Sequence, residues 1–396
     1  MRSMSPLKIL LLSAVIITCL TGCWNRIEIN DIAIVTATGV DKINDKNIRL
    51  SLQVGTPAKF GNTGTGGGAA TGNSTFTVSA TGETISDAYR KIQEKLSRRI
   101  FLSHSRVLII GERLAKEGVL FIVDFFARYQ DPRLNSFIMF TKGEASELLK
   151  NKSLLEKVPS EETRELIKQG IGLKVTIKDF WDMIIAEGIE PVAPRFKLVP
   201  LEATNKQPEE ESSSPQKVQA ISGAAVFKND QLAGWMNDAE TRGILHLRNE
   251  LEIGVITVNI PQEKGGGKVS VKMTKVKTAF KPVLHDGQLT MKVTSRTEVT
   301  VLENASNINL GDTKELAFLQ TKLEEDVKQR MQIALHKAQK QFRSDIFGFG
   351  RVVYRAYPKA WNKTYKKKWD TTFPELEVII KSKVEIKRIG LTKNTK

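Results

Sequence analysis

The hydrophobic period changes repeatedly along the first 150 residues of this chain, and this change constrains the fold more than any other feature. Apolar patterns typical of strands cover residues 31–42 and 47–54, and the polar turn between them predicts a hairpin. Between residues 84 and 143, helical and strand patterns alternate. This alternation predicts an α/β domain with some parallel strand pairing over residues 23–150.

A stretch rich in glycine and threonine lies at residues 60–82 and contains the spacing Gly64-x-Gly66-x-x-Ala69. The spacing matches a dinucleotide-binding fingerprint only superficially. A loop that cradles phosphate runs from a strand into the N-terminus of a helix, whereas a strand-like pattern follows here. We therefore predict a flexible hairpin loop rather than a nucleotide-binding site.

The middle of the chain, residues 151–250, predicts a second, mixed domain. Helical patterns occupy about residues 159–170 and 176–187. The polar run at residues 202–217 contains two prolines and a serine triplet, which is typical of an exposed loop.

The last region, residues 251–396, has the most regular pattern. Apolar residues alternate on both sides of Asp286-Gly287, which predicts an antiparallel hairpin. Apolar residues at helical spacing from about Thr313 to Arg343 predict one long helix, and a further strand pattern lies near the C-terminus. The predicted fold is thus a mixture of α+β and α/β, with three domains. The last domain is expected to be an antiparallel sheet packed by the long helix.

The N-terminus, MRSMSPLKILLLSAVIITCLTGC, has the layout of an export signal. Its apolar run of about 12 residues is shorter than the ~20 residues of a membrane-spanning helix. Small residues stand directly before Cys23, as in the lipobox of bacterial lipoproteins. We predict that residues 1–22 are a lipoprotein signal peptide, that Cys23 carries a diacylglyceryl lipid, and that the only other cysteine, Cys19, is removed with the signal.

The formal net charge of +16 has two interpretations, attraction to an anionic membrane surface or an ordinary solvated basic face. The densest basic run is WNKTYKKKWD, residues 361–370. Nucleic acid is not expected as a partner, because the chain has no zinc-finger spacing and is predicted to be exported.

Residues suited to catalysis are scattered. His104 stands between two serines, but neighbouring residues on a strand point to opposite faces. Glu112 and Asp345 have no obvious carboxylate partner. The histidines also lack metal-ligand spacing: His104, His246, His285 and His336. The sequence therefore predicts no enzyme, no cofactor and no metal site.

Several segments together carry a resemblance to a known family. They are GCWNRIE at residues 22–28 with DIAIVTATGVDK after it, HSRVLIIGE at 104–112, GAAVFKNDQLAGW at 223–235, and the long stretch from DIFGFGRVVYRAYPKAW to the strand ending at Gly390. In this order they resemble the Ger(x)C lipoprotein family, the C subunits of spore germinant receptors. The resemblance extends over essentially the whole mature chain.

The resemblance implies a three-domain lipoprotein on the outer face of the spore inner membrane, part of a nutrient receptor that triggers germination. Its partners would be integral-membrane A-type and B-type receptor subunits. It assigns a chemical role to Cys23 alone. The other matched residues are expected to be structural or partner-facing, with core packing and glycine turns as the simpler interpretation: Trp24, Glu28, His104, Glu112, Phe347, Gly348, Phe349, Gly350, Arg351, Arg355, Pro358, Trp361 and Trp369.

A different class of protein is an extracytoplasmic solute-binding lipoprotein that feeds a transporter. Such a protein has two similar α/β lobes around a cleft, whereas this chain ends in the pattern of a sheet with a long helix. An envelope enzyme is a third possibility, against which the missing catalytic constellation argues.

Overall fold

The computed structural model describes residues 6–7, 28–56, 74–129, 131–201, 217–252 and 254–390. The predicted signal peptide, apart from residues 6–7, lies outside the described residues, as do Cys23, Trp24 and most of the Gly/Thr-rich insert and the polar run. The described strands are β1 (Ile32–Lys42), β2 (Ile48–Gly55), β3 (Thr75–Gly82), β4 (Arg99–Phe101), β5 (Val107–Gly111), β6 (Phe137–Thr141), β7 (Val192–Pro200), β8 (Lys217–Lys228), β9 (Gln231–Met236), β10 (Gly254–Asn259), β11 (Gly267–His285), β12 (Gln288–Ser306) and β13 (Glu377–Arg388).

The α-helices alternate with strands in the first half and group near the end in the second. They are α1 (Ile85–Gln93), α2 (Glu112–Glu117), α3 (Leu120–Arg128), α4 (Ala145–Lys150), α5 (Pro159–Lys168), α6 (Ile177–Ile185), α7 (Asp238–Leu247), α8 (Thr313–His336), α9 (Phe349–Ala356), α10 (Pro358–Ala360) and α11 (Lys366–Glu375). A π-helical turn, Lys337–Phe342, extends α8, and a second one, Trp361–Tyr365, joins α10 to α11.

The first sheet has nine strands. Eight of them follow the order β3-β2-β1-β5-β6-β7-β8-β9, and the short strand β4 pairs only with β1. Pairing is parallel from β1 through β5 and β6 to β7, and antiparallel at both ends. The predicted hairpin of β1 and β2 and the predicted parallel pairing are both confirmed. Strands from the first two predicted domains therefore lie in one sheet, and the division of the chain into three domains stays a prediction.

Strand β5 is apolar at every position instead of alternating, because both of its faces are buried. Leu108 and Ile110 join the main hydrophobic core, which extends into the second sheet. Val107 and Ile109 point to the other face and join a smaller core with residues of α4 and α5. A central strand that is covered on both faces has no solvent-facing position, so every residue in it is apolar.

The second sheet has the order β10-β11-β12-β13. The hairpin of β11 and β12 turns at Asp286-Gly287 as predicted, and the long helix α8 packs its apolar stripe on the sheet. One detail of the prediction is wrong, because β13 pairs with β12 in parallel and the sheet is mixed. The chain reaches β13 only after α8 to α11, and this long crossover allows a parallel return.

The two sheets differ in size and topology, unlike the paired lobes expected of a solute-binding protein. No helix among the described residues is both long and apolar enough to cross a bilayer.

Candidate functional site around Asp345

The carboxylate of Asp345 is the centre of a buried hydrogen-bond cluster, and only 1% of the residue is exposed. Its Oδ1 accepts hydrogen bonds from the backbone N–H groups of Gly348, at 2.9 Å, and Phe349, at 3.1 Å. Its Oδ2 accepts from the backbone N–H of Gly350, at 2.8 Å, and from the indole Nε1–H of Trp369, at 3.0 Å. We call these five residues the Asp345 cluster.

The cluster forms because α9 begins inside the protein. The first N–H groups of a helix have no partner within the helix, and leaving them unpaired in a buried place costs stability. The Asp345 side chain supplies the missing acceptor to three consecutive residues, and its negative charge lies at the positive end of the helix dipole. Burial raises the pKa of Asp345 to about 6, and the four N–H donors, which act in the opposite direction, offset this only in part.

Two glycines let another segment approach the start of α9. Gly348 has a φ of +76°, a left-handed conformation that glycine adopts without strain. A Cβ on Gly350 would lie 2.5 Å from Cα of Gly188, so the two backbones are in direct contact. The N–H of Arg351 donates to the carbonyl of Gly188 at 3.0 Å. The loop that follows α6 is therefore held directly against α9.

The residues beside Asp345 bond to the first sheet and its neighbours. The N–H of Glu190 donates to the Asp345 carbonyl at 2.9 Å. The Ser344 hydroxyl donates to the carbonyl of Phe227, in β8, at 2.5 Å. The Arg248 guanidinium, just after α7, donates to the carbonyl of Ile346 at 2.8 Å. This short segment thus fixes the C-terminal helices to the nine-stranded sheet.

Aromatic rings of the same segment fill the core beneath the cluster. The Phe349 ring packs edge-on against Phe280 of β11, with the ring centres 4.8 Å apart, and lies 5.4 Å from the Phe347 ring. Trp361 and Trp369 are buried with ring centres 5.3 Å apart. The cluster therefore lies where elements of both sheets meet, and its contacts are those of a structural junction.

Two of the matched residues in this region face outward, and one lies between core and solvent. Arg355 and Pro358 are exposed, and Arg351 is half-buried. Arg351 lines an open pocket of about 370 Å³, to which α6 contributes Asp179 and Asp182.

Glu112 lies elsewhere, at the start of α2. Its Oε1 accepts from the indole Nε1–H of Trp235, in β9, at 2.9 Å and pairs with Lys116 at 3.1 Å. Burial acts to raise the pKa of Glu112, but the hydrogen bonds from Trp235 and Lys116 outweigh it, so the pKa lies below its usual range. Glu112 thus connects a helix to a strand far away in sequence.

His104 is exposed and lies in a short 3₁₀ turn, Leu102–His104, which corrects the expectation of a strand at this position. Partial burial and the nearby charges of Arg106 and Arg133 lower the pKa of His104. The flanking serine hydroxyls bond elsewhere, that of Ser103 to the carbonyl of Asp131 and that of Ser105 to Thr38. The arrangement is not that of a base beside a nucleophile.

Glu28 is exposed, and its carbonyl accepts from the N–H of Asp31 in a 3₁₀ turn just before β1. In the part of the chain that the structure describes, no group of three or more histidine, cysteine, aspartate or glutamate residues is arranged to hold a metal ion.

Sequence reasoning missed the central residue of this site. From the sequence, Asp345 is only a carboxylate without an obvious acidic partner. Its position before the glycine-rich turn IFGFG is a signal that could have identified it, because aspartate side chains accept hydrogen bonds from backbone N–H groups a few residues ahead. Gly188 and Glu190, which complete the junction, carry no comparable local signal.

Comparison with known proteins links this architecture to spore germination. Residues 25–198 match the family model described as "Spore germination protein N-terminal domain". Residues 222–390 match the model "Spore germination B3/ GerAC like, C-terminal". The second match contains the whole Asp345 cluster.

Curated relatives and a solved structure agree with the family matches. The "Putative spore germination protein YfkR" of Bacillus subtilis (strain 168) is 31% identical over 377 residues, which is 95% of each chain. The "Spore germination protein KC" of the same strain is 30% identical over 98% of this chain and 96% of its own length. The crystal structure of the GerBC protein aligns with a TM-score of 0.55 at 17% identity, over 89% of this chain and 97% of that chain, and thus shares the fold. From the two domain matches and these relatives, the chain belongs to the Ger(x)C family of spore germination proteins.

Proposed function

We propose that this protein is the C subunit of a nutrient germinant receptor and takes part in triggering spore germination. The observation that carries the proposal is the similarity along nearly the full chain to proteins named for spore germination. Both family matches, with the fold shared with GerBC, support it.

The protein acts from the outer face of the spore inner membrane, held there by a lipid on Cys23. The support is the sequence itself, a short apolar run with small residues directly before the cysteine. Two acyl chains on one residue give stable anchoring, whereas one chain alone binds only marginally.

Its role is assembly with integral-membrane A-type and B-type subunits rather than catalysis. In support, the Asp345 carboxylate is buried and fully engaged by four N–H donors, so it is not available to a substrate. A short lipid tether makes weak contacts with such partners effectively intramolecular, at local concentrations of the order of millimolar.

The first experiment compares spores with and without the gene for release of core solutes across a panel of nutrients. Loss of the response to one nutrient class, with the others intact, is the expected result and identifies the signal. Unchanged release with every nutrient, also in a strain that lacks related receptors, would refute the receptor role.

The anchor is tested separately with Cys23→Ala. The variant should fold, because no described contact depends on the lipid, yet it should leave the membrane fraction and fail to support germination. Normal germination with the variant would refute the proposed role of the anchor while leaving the receptor role intact.

A further inference from the structure

The helical segment from α9 into α11 carries an unusual charge distribution. Residues 349–369 contain seven basic residues and no acidic one, and the acidic residue that follows them, Asp370, pairs with Lys228. The basic residues are Arg351, Arg355, Lys359, Lys363, Lys366, Lys367 and Lys368. A solvated helix of ordinary composition mixes both signs of charge, and a mixture would weaken any attraction to an anionic surface.

The fold arranges part of this charge on one face. A buried stripe runs from the π-helical turn Trp361–Tyr365 into α11 at every fourth residue, through Trp361, Tyr365, Trp369 and Phe373. Lys359, Lys363 and Lys367 each stand two residues before a member of this stripe. Two residues are about 200° of rotation in an α-helix and somewhat less in a π-helical turn, so the three lysines lie on the side roughly opposite the core. All three are exposed, and we call them the lysine face.

The helical segment that bears the lysine face, from α10 to α11, is fixed to the rest of the protein by hydrogen bonds. Trp369 is bonded to Asp345, and the Gln339 amide donates to the carbonyls of Phe373, at 2.8 Å, and Leu376, at 2.9 Å. Lys366 is not part of the face, since it pairs with Glu187. The three lysines therefore lie on helices that are fixed to the rest of the protein. They do not take part in the ion pair that Lys366 forms with Glu187.

We propose that the lysine face lies against the anionic headgroups of a phospholipid membrane. Lysines are depleted in protein interfaces relative to the rest of the surface, and such interfaces need buried apolar or aromatic anchors, which this face does not have. A lipid surface needs neither, because hydrated lysine charges near anionic headgroups are attracted without being desolvated. The proposal rests on the proposed function only in that the lipid on Cys23 brings the protein to a membrane.

The test measures partition of residues 24–396, which lack the predicted signal peptide and the lipidated cysteine, onto vesicles by flotation. Vesicles of equimolar phosphatidylglycerol and phosphatidylcholine are compared with vesicles of phosphatidylcholine alone. The triple variant Lys359→Gln, Lys363→Gln and Lys367→Gln should bind the anionic vesicles roughly 100-fold more weakly, because each surface lysine contributes about a fivefold change in partition. Binding to the neutral vesicles should not change.

A matched control removes the same charge elsewhere. Lys268, Lys272 and Lys314 are exposed on β11 and α8, and replacing these three with glutamine lowers the net charge equally. The control should lose only a small part of the binding, and thermal unfolding should show both triple variants folded. Equal losses in the two variants would overturn the proposal, because they would mean attraction by net charge alone.

Spores separate this proposal from the receptor role. The proposal would also be overturned if the lysine-face variant bound anionic vesicles like the wild type while spores that carry it failed to germinate. In that case the lysine face would contact an acidic protein rather than a membrane. Failure of the receptor role itself would appear as normal germination without the gene in a strain that also lacks related receptors, whatever the vesicles show.

Discussion

Gly350→Ala adds a methyl group at the tightest contact of the Asp345 cluster. An ideal Cβ at this position lies 2.5 Å from Cα of Gly188 and 2.8 Å from Cη2 of Trp361. Real Cβ atoms essentially never come within 3.0 Å of such neighbours. Gly188 contributes backbone, and the Trp361 ring is buried, so neither can move aside without shifting the junction.

The expected cost is the sum of three effects. Overpacking of a well-packed site costs about 1–3 kcal/mol. Separation of the two segments weakens the hydrogen bond from Arg351 N–H to the Gly188 carbonyl, which contributes about 1 kcal/mol. Alanine is favoured over glycine within a helix by about 1 kcal/mol, which acts in the opposite direction. The free energy of unfolding should therefore fall by about 2 kcal/mol.

Equilibrium unfolding in urea, followed by tryptophan fluorescence, measures this change as a lower midpoint with an unchanged slope. Gly311→Ala is the matched control, because the nearest atom to its Cβ is Asn309 Oδ1 at 3.2 Å, and its effect should stay within about 0.5 kcal/mol. If Gly350→Ala were as stable as the wild type or more stable, helix propensity would outweigh the contact, and the argument for a close junction would be refuted.

Three further changes test single interactions. With Asp345→Asn as reference, the unfolding free energy of the wild type should fall by about 3 kcal/mol as pH rises from about 3 to about 7. The reason is that the folded carboxyl, with its pKa raised to about 6, binds a proton more tightly than the unfolded one. Urea titrations at several pH values measure this fall, and a rise would contradict it. Glu112→Gln should lower the free energy of unfolding by about 1 kcal/mol at neutral pH and by progressively less in acid. The pKa of Glu112 is lowered in the folded state, so the stabilisation by its carboxylate disappears as pH falls through the folded pKa. The same urea titrations check this, and a constant loss at every pH would count against it. Thr84→Ala removes the side-chain oxygen that accepts from Asp87 N–H at 3.1 Å at the start of α1 and should cost about 1 kcal/mol in thermal unfolding, whereas an unchanged melting temperature would show that this cap contributes little.

Local patterns predicted the elements of the fold well because hydrophobic period and turn chemistry act over a few residues. The hairpin at Asp286-Gly287 and the long helix α8 are where the sequence predicted them. Local chemistry also fixes the start of α7, where Asn237 is the N-cap and forms a capping box with Glu240.

The way in which distant elements pack together could not be predicted as well from the sequence. The parallel return of β13 depends on how α8 to α11 pack, and alternation along a strand does not encode the direction of its neighbour. The contact of Gly350 with Gly188 joins residues 162 positions apart, and neither glycine differs locally from an ordinary turn residue. The resemblance to a family therefore pointed to several residues of the cluster, whereas the role of Asp345 follows only from the folded chain.

The Asp345 cluster changes where the proposed contacts with integral-membrane subunits should be sought. Most of the matched residues of the C-terminal motif, including Phe349, Gly350 and Trp361, are buried and occupied with holding α9 to α11 against the rest of the protein. Substituting them would disturb the junction itself, so a loss of germination would not identify a contact. Surface residues on the same helices, such as Arg355, can be changed without touching the cluster. Defects that appear there with unfolding free energy intact are the ones that report on a partner or a membrane.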